Sequence, residues 1–131
     1  MRKLLTLLTF LLVISSCSKK FPFQGNEYQL VQNNPLLTVS LSFAPKGNIF
    51  FGKVYNTYSG TFNGEGNKLG LKITEQSSGE GHYDVMAVEK DYFIQLQKVV
   101  SYKFGKNSLT LFTSDNYSLT FEKIGPAHQK S

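Results

Sequence analysis

The sequence has one cysteine, Cys17, two histidines and no tryptophan. A lone thiol cannot close a disulfide within the chain. With His82 and His128 far apart and no second thiol, the usual zinc ligands are missing. The only arginine is Arg2. Arginine is the favoured side chain for bidentate contacts to phosphates and bases, so its absence elsewhere argues against nucleic-acid binding. Gly-x-Ser-x-Gly, P-loop and dinucleotide-binding patterns are absent as well. Gly64, Gly66 and Gly70 have suggestive spacing, but they connect strands and precede no helix. Beyond Ile14 every apolar run is interrupted within a few residues, too soon to cross a bilayer as a helix. Nothing in this composition calls for a cofactor.

The first segment is of a different kind. Arg2 and Lys3 are followed by an apolar run from Leu4 to Ile14 and by the small residues Ser15 and Ser16. A basic start, a short apolar stretch and a small-residue cleavage site make a secretory signal. The run falls well short of the roughly 20 residues of a permanent membrane helix. Ile14-Ser15-Ser16-Cys17 resembles the lipobox of bacterial lipoproteins, which implies cleavage after residue 16 and acylation of Cys17. Two or more acyl chains hold a protein stably to a membrane. Residues 1–16 are therefore expected to be a lipoprotein signal peptide and residues 17–25 a lipidated tether. The membrane is the first expected partner, through the anchor. Ser18 stands where inner-membrane lipoproteins usually carry aspartate, which favours the outer membrane, facing the periplasm.

The remaining ~115 residues are the size of one domain. The net charge of +5 falls by two when Arg2 and Lys3 leave, and the other lysines are scattered. Lys19 and Lys20, beside the anchor, would face phospholipid head groups.

Eleven phenylalanines and seven tyrosines favour strands. A two-residue alternation is seen over 27–32, 37–43, 49–54, 57–63 and 68–74, again over 100–104 and 109–111, and in 118–122. Pro45-Lys46-Gly47-Asn48, Asn63 to Asn67, Gly105-Lys106-Asn107 and Ser114-Asp115-Asn116 are turns by composition. Between the fifth and sixth strands Val85, Val88, Tyr92, Leu96 and Val99 recur every three or four residues. That spacing predicts a helix near 87–98, with Asp84 a possible cap and Glu89, Lys90, Gln95 and Lys98 off the apolar stripe. Short turns require antiparallel neighbours. The expected fold is mainly β: a curved antiparallel sheet or incomplete barrel of about eight strands. One helix packs on it or plugs one end. The domain spans residues 26–124, and 125–131 is expected to be a polar tail.

Gly52-Lys53-Val54-Tyr55-Asn56-Thr57-Tyr58-Ser59-Gly60 looks like a glycine-x-x-cysteine-asparagine-x-tyrosine-x-glycine segment. It is the segment that marks the META domain of the HslJ-like heat-shock lipoprotein family. Glu89 to Leu96 looks like that family's acidic-start helix, and Tyr102 to Gly105, Leu109 to Leu111 and Leu119 to Phe121 look like its closing strands. Tyr28 stands near the family's usual tryptophan. Tyr55 replaces one family cysteine and a second is absent, so any role for a cysteine pair is lost. The resemblance implies a barrel-like sheet with a packed helix. It also implies an association with envelope stress and carries no enzymatic chemistry.

Gly52, Asn56, Tyr58 and Gly60 form either a structural corner or a binding site, and the corner is the preferred reading. An asparagine between strands can bond its own backbone and tolerate a left-handed conformation. A strand glycine marks a bulge or a close backbone approach. Phe50, Phe51, Tyr55, Tyr58, Phe62, Tyr92 and Phe93 belong mostly to the core, but alternation prevents Phe50 and Phe51 from pointing inward together. His82 and Asp84 are the one histidine–carboxylate pair; an exposed histidine at a helix start is the simpler reading. His128 lies in the tail. The leading expectation is a non-enzymatic envelope lipoprotein that acts through protein contacts. The alternative is a small-barrel carrier of an apolar ligand or an inhibitor of a cell-wall lytic enzyme.

Overall fold

Apolar side chains at every second position place one set on each face of a strand. In the computed structural model, which describes residues 20–32 and 37–127, this pattern produces eight strands and one helix. In chain order they are β1 (Asn26–Leu30), β2 (Ser40–Phe43), β3 (Ile49–Lys53), β4 (Thr57–Asn63) and β5 (Gly70–Gln76). Then come α1 (Tyr83–Leu96), β6 (Val99–Phe104), β7 (Ser108–Thr113) and β8 (Ser118–Pro126). All pairings are antiparallel, in the order β5-β4-β3-β2-β1-β8-β7-β6. The first and last strands thus meet in the middle of the sheet, and β5 and β6 are its edges.

The sheet curls into a half-barrel until those edges approach each other. Just ahead of β5, Leu69 N–H donates to the Val100 carbonyl at 3.1 Å and Tyr102 N–H to the Asn67 carbonyl at 2.9 Å. Farther along, the seam stays open and α1, which connects its two sides, stands beside it. Gln97, directly after the helix, accepts the Ile73 N–H at 3.1 Å and occupies that edge position of β5. Sequence and structure agree on a mainly β half-barrel with one helix.

The inner wall is aromatic and aliphatic. Tyr28, Leu41, Phe43, Phe50, Leu109, Leu111 and Phe121 are fully buried. Phe23 lies 4.4 Å from Phe43 and 5.0 Å from Tyr102 between ring centroids, the latter edge to face. Such contacts add to simple area burial.

Phe23 belongs to the stretch expected to be a tether, and its position is a correction. Phe21 and Phe23 are buried in the main core, and Gln24 is buried with them. The Gln24 amide donates to the carbonyls of Ala44 (3.2 Å) and Gly47 (3.0 Å), while its oxygen accepts the Phe21 N–H at 3.0 Å. Two rings on either side of Pro22 cannot remain in water when an open barrel end offers apolar surface. The domain therefore begins by Phe21. Cys17 and the signal segment lie outside the described residues.

Three further boundaries move. The helix starts at Tyr83, four residues before the expected position, and His82 rather than Asp84 caps it. Tyr83 and Asp84 are exposed and precede the apolar stripe that starts at Val85, and Asp84 there complements the positive helix end. Val99 opens β6 instead of closing the helix stripe. The tail expected from Gly125 is partly strand: Pro126 pairs with Asn26, and Ala127 N–H donates to the Gly25 carbonyl at 2.9 Å. His128 lies outside the described residues.

Phe23→Ala should cost about 3–5 kcal/mol of stability, as for a buried ring lost from a packed core. Denaturant unfolding would measure it. A change within experimental error would return this segment to the status of a tether.

Candidate functional site

Val54, Tyr55 and Asn56 connect β3 to β4 in three residues, closed by a 3.0 Å bond from Val54 N–H to the Asn56 carbonyl. So tight a connection leaves amides without strand partners, and Asn56 is buried. The missing acceptor comes from the helix. One carboxylate oxygen of Glu89 accepts the backbone N–H groups of Tyr55 (3.1 Å) and Asn56 (2.6 Å), and the other accepts the Asn56 side-chain amide at 2.8 Å. The same amide also donates to the Gly79 carbonyl at 3.0 Å. The Asn56 oxygen accepts from Gly79 N–H (2.7 Å) and the Ser77 hydroxyl (3.1 Å). Asn56 thus ties the β3–β4 corner to the loop before α1, and Glu89 ties both to the helix.

Glu89 is only 4% exposed, although its charge had placed it off the apolar stripe. The spacing Val85–Glu89–Tyr92–Leu96 puts it on the same helix face as Tyr92 and Leu96. The sequence carried that signal; what it lacked was the acceptor-poor corner opposite. Asn56, for its part, does not take a left-handed conformation, which among described non-glycine residues only Asn116 does.

The other motif residues surround this corner. A Cβ at Gly52 would overlap the Ser40 carbonyl and stand 2.6 Å from the Tyr58 hydroxyl. A Cβ at Gly60 would overlap the Lys72 carbonyl, where the β4–β5 register shifts between Ser59 and Gly60. Both glycines admit a neighbouring backbone. The Tyr58 hydroxyl donates to the Ser40 carbonyl at 2.6 Å, so the 2.6 Å contact between the two tyrosine oxygens carries the Tyr92 proton toward Tyr58. Burial holds both hydroxyls well above the ordinary tyrosine range, with the neighbouring Tyr92 adding to the effect on Tyr58.

His82 and Asp84 do come together, but in water. The Asp84 N–H donates to His82 Nδ1 at 3.3 Å, that ring nitrogen is 3.8 Å from the Asp84 carboxylate, and both side chains are 76% exposed. A general base needs a positioned partner and an enclosed substrate, and this pair has helix-capping geometry. Among the described residues, no group of three or more His, Cys, Asp or Glu side chains is arranged to hold a metal.

A concave surface lies on the outer wall beside the motif. It is an open groove of about 810 Å³, lined by residues of β1 to β5 and Ser77. Cross-strand register explains it. Glu27, Ser42, Phe51, Ser59 and Glu75 form one continuous row across five strands. Small hydroxyl residues make its floor, Phe51 stands half-exposed at its middle, and a carboxylate marks each end. Lys53 and Thr57 flank it two residues along, on the same face. The sequence singled out Phe51 as a ring unable to point inward with Phe50; the row itself becomes visible only once the register is known.

Comparison with known proteins places the fold. The META domain family matches residues 22–125, which contain the corner, the helix and the groove. A crystal structure of a DUF4847 family protein from Bacteroides vulgatus superposes with a TM-score of 0.64 at 14% identity. That match covers 81% of this chain and 97% of the other. An NMR structure of a protein from Burkholderia xenovorans gives 0.64 at 13% identity, covering 78% and 83%. At these identities the likeness concerns the fold alone. No curated protein matches the chain.

Glu89→Gln should lower stability by about 1–3 kcal/mol, because an amide NH₂ would then face the corner N–H groups. An unchanged denaturation midpoint would contradict the acceptor role. The tyrosine pair predicts an alkaline limit. Above about pH 10 the unfolded chain releases tyrosine protons while the folded chain keeps those of Tyr58 and Tyr92. The unfolded state then binds fewer protons, so stability is complete below that pH and falls as pH rises through it. Tyrosinate absorbance should show these two ionising only on unfolding; a single native titration of every tyrosine would contradict their burial.

Proposed function

We infer that this chain, which belongs to the META domain family, is an envelope lipoprotein that works by binding rather than by catalysis. Its contact surface is the groove outside β1–β5. The groove carries this reading: its row of hydroxyls, half-exposed ring and terminal carboxylates offers apolar contact and hydrogen bonds together. The polar atoms of the motif are already engaged within the protein, which supports a supporting role for Asn56 behind the groove. Gly52 and Tyr58 belong to both the motif and the groove lining.

Membrane attachment rests on Cys17 and the small residues before it. The absence of aspartate at position 18 supports the outer membrane, facing the periplasm. A role in envelope stress is the part of this proposal that rests on family membership. A carrier enclosing an apolar ligand has less support, since the inner wall is filled by close-packed rings.

Fatty-acid labelling of cells should mark the wild-type protein and not a Cys17→Ser variant. A photo-crosslinking residue at position 51 should capture a discrete envelope partner, and the same residue at exposed position 117 should not. Equal capture at both positions, or none, would remove the groove from the proposal. Labelling of the Cys17→Ser variant would remove the anchor.

A further inference from the structure

We propose that the barrel end from which the N-terminus leaves is a lipid-facing surface that lies on an anionic bilayer and fixes the domain's orientation there. The proposal rests on the anchored reading above and goes beyond it by assigning a membrane face to the folded domain.

Strand directions decide which segments share that end. It gathers residues 20–25, the β2–β3 turn, the β4–β5 connection, the β6–β7 turn and the end of β8. Backbone bonds hold these together: Gly25 N–H to the Phe43 carbonyl, Lys123 N–H to that of Asn107, and Tyr102 N–H to that of Asn67. Lys20, Lys46, Lys68, Lys103, Lys106 and Lys123 are all exposed at this end. Glu65 stands in its turns, and Glu27 and Glu122 also lie near this end, level with Gly125 and Ser108, so six lysines face three carboxylates there. The opposite end carries Glu75, Glu80, Asp84 and Asp115, with Lys53 at the end of β3 and Lys98 bound to Asp115 at 3.0 Å. The lysines that look scattered along the sequence are therefore in excess over acids at one end in space and outnumbered by them at the other.

Exposed apolar side chains accompany the lysines. Ile49, Phe104 and Ile124 are 44%, 37% and 51% exposed at or beside the same turns, and the Lys20 ammonium stands 5.8 Å from the Phe21 ring centroid. Lysines around a few apolar side chains suit the boundary between head groups and acyl chains. Charge complementarity favours an anionic surface, where each lysine contributes roughly fivefold to partitioning. The position of the anchor selects the bilayer as its source. Three peptide links join Cys17 to Lys20, a reach of at most about 11 Å, so an acylated Cys17 holds this end against the membrane. In that orientation the outer-wall groove faces sideways and stays open, and the acidic end points away from the bilayer.

The test uses the purified protein reconstituted in phosphatidylcholine vesicles with and without phosphatidylglycerol. A fluorophore is placed at Asn107→Cys in the basic end or at Ser114→Cys in the opposite end, and quenching by head-group-labelled lipid is read. Quenching at position 107 should be at least about threefold stronger than at 114 in the anionic vesicles. The difference should collapse in a Lys46→Glu/Lys106→Glu/Lys123→Glu variant, which changes only exposed turn and strand-end residues. Equal quenching at the two positions, stronger quenching at 114, or indifference to lipid charge would overturn the proposal. Mass spectrometry of the same sample reads acylation of Cys17. If no acyl mass is present the anchored reading fails, and co-sedimentation with the anionic vesicles at low salt then decides the surface by itself. Binding weakened on the order of 100-fold by the triple reversal supports it, and absence of binding overturns it.

Discussion

The Glu89 carboxylate is the acceptor around which the corner, the loop before the helix and the helix are assembled. A three-residue connection between β3 and β4 turns the amides of Tyr55 and Asn56 away from any strand. Buried donors without partners are costly, and so is a buried carboxylate without donors. Placed together, each satisfies the other, and neither ion pair among the described residues involves Glu89. One helical turn farther, Tyr92 meets Tyr58 and Tyr58 reaches the Ser40 carbonyl, so the helix is fixed to β4 and through it to β2 by polar contacts. Leu96, another turn on, is fully buried. Position along the helix and depth in the barrel are thereby set together.

The two walls of the sheet have separate tasks. Aromatic rings fill the inside, including the two contributed by Phe21 and Phe23, and this packing holds a domain that has no disulfide. The outer wall is spared from packing and carries serine, threonine and charge, with Phe51 half-buried in the groove and Phe112 exposed on β7. Because alternation assigns every residue to one wall, a motif on β3 and β4 contributes to both. Tyr58 points to the core contacts while its neighbours Thr57 and Ser59 line the groove. Gly52 and Gly60 let backbones approach where a side chain would separate them.

Residues 21–24 show how a short segment can be misplaced by its neighbours in sequence. Beside an expected anchor, and followed by Gln24 and Gly25, two rings around a proline look like part of a linker. The segment forms a turn, and only the open barrel end gives both rings a place. Gln24 completes the arrangement by replacing backbone partners for the carbonyls of Ala44 and Gly47 at the barrel end.

In the sequence by itself, alternation was enough to read the order of strands and helix and the class of fold, because it is a local property that repeats eight times. The sequence also singled out Asn56, Gly52 and Gly60 as places where the backbone does something unusual. Glu89 was misassigned, since a carboxylate on a helix is normally outside and only the amides of a distant corner reverse that preference. The row from Glu27 to Glu75 and the gathering of lysines at one end were not legible either. Both depend on which strands are neighbours and in what register, and β8 pairing with β1 brings together residues from opposite ends of the chain. Periodicity fixes the face a side chain takes. Only long-range pairing decides what stands beside it.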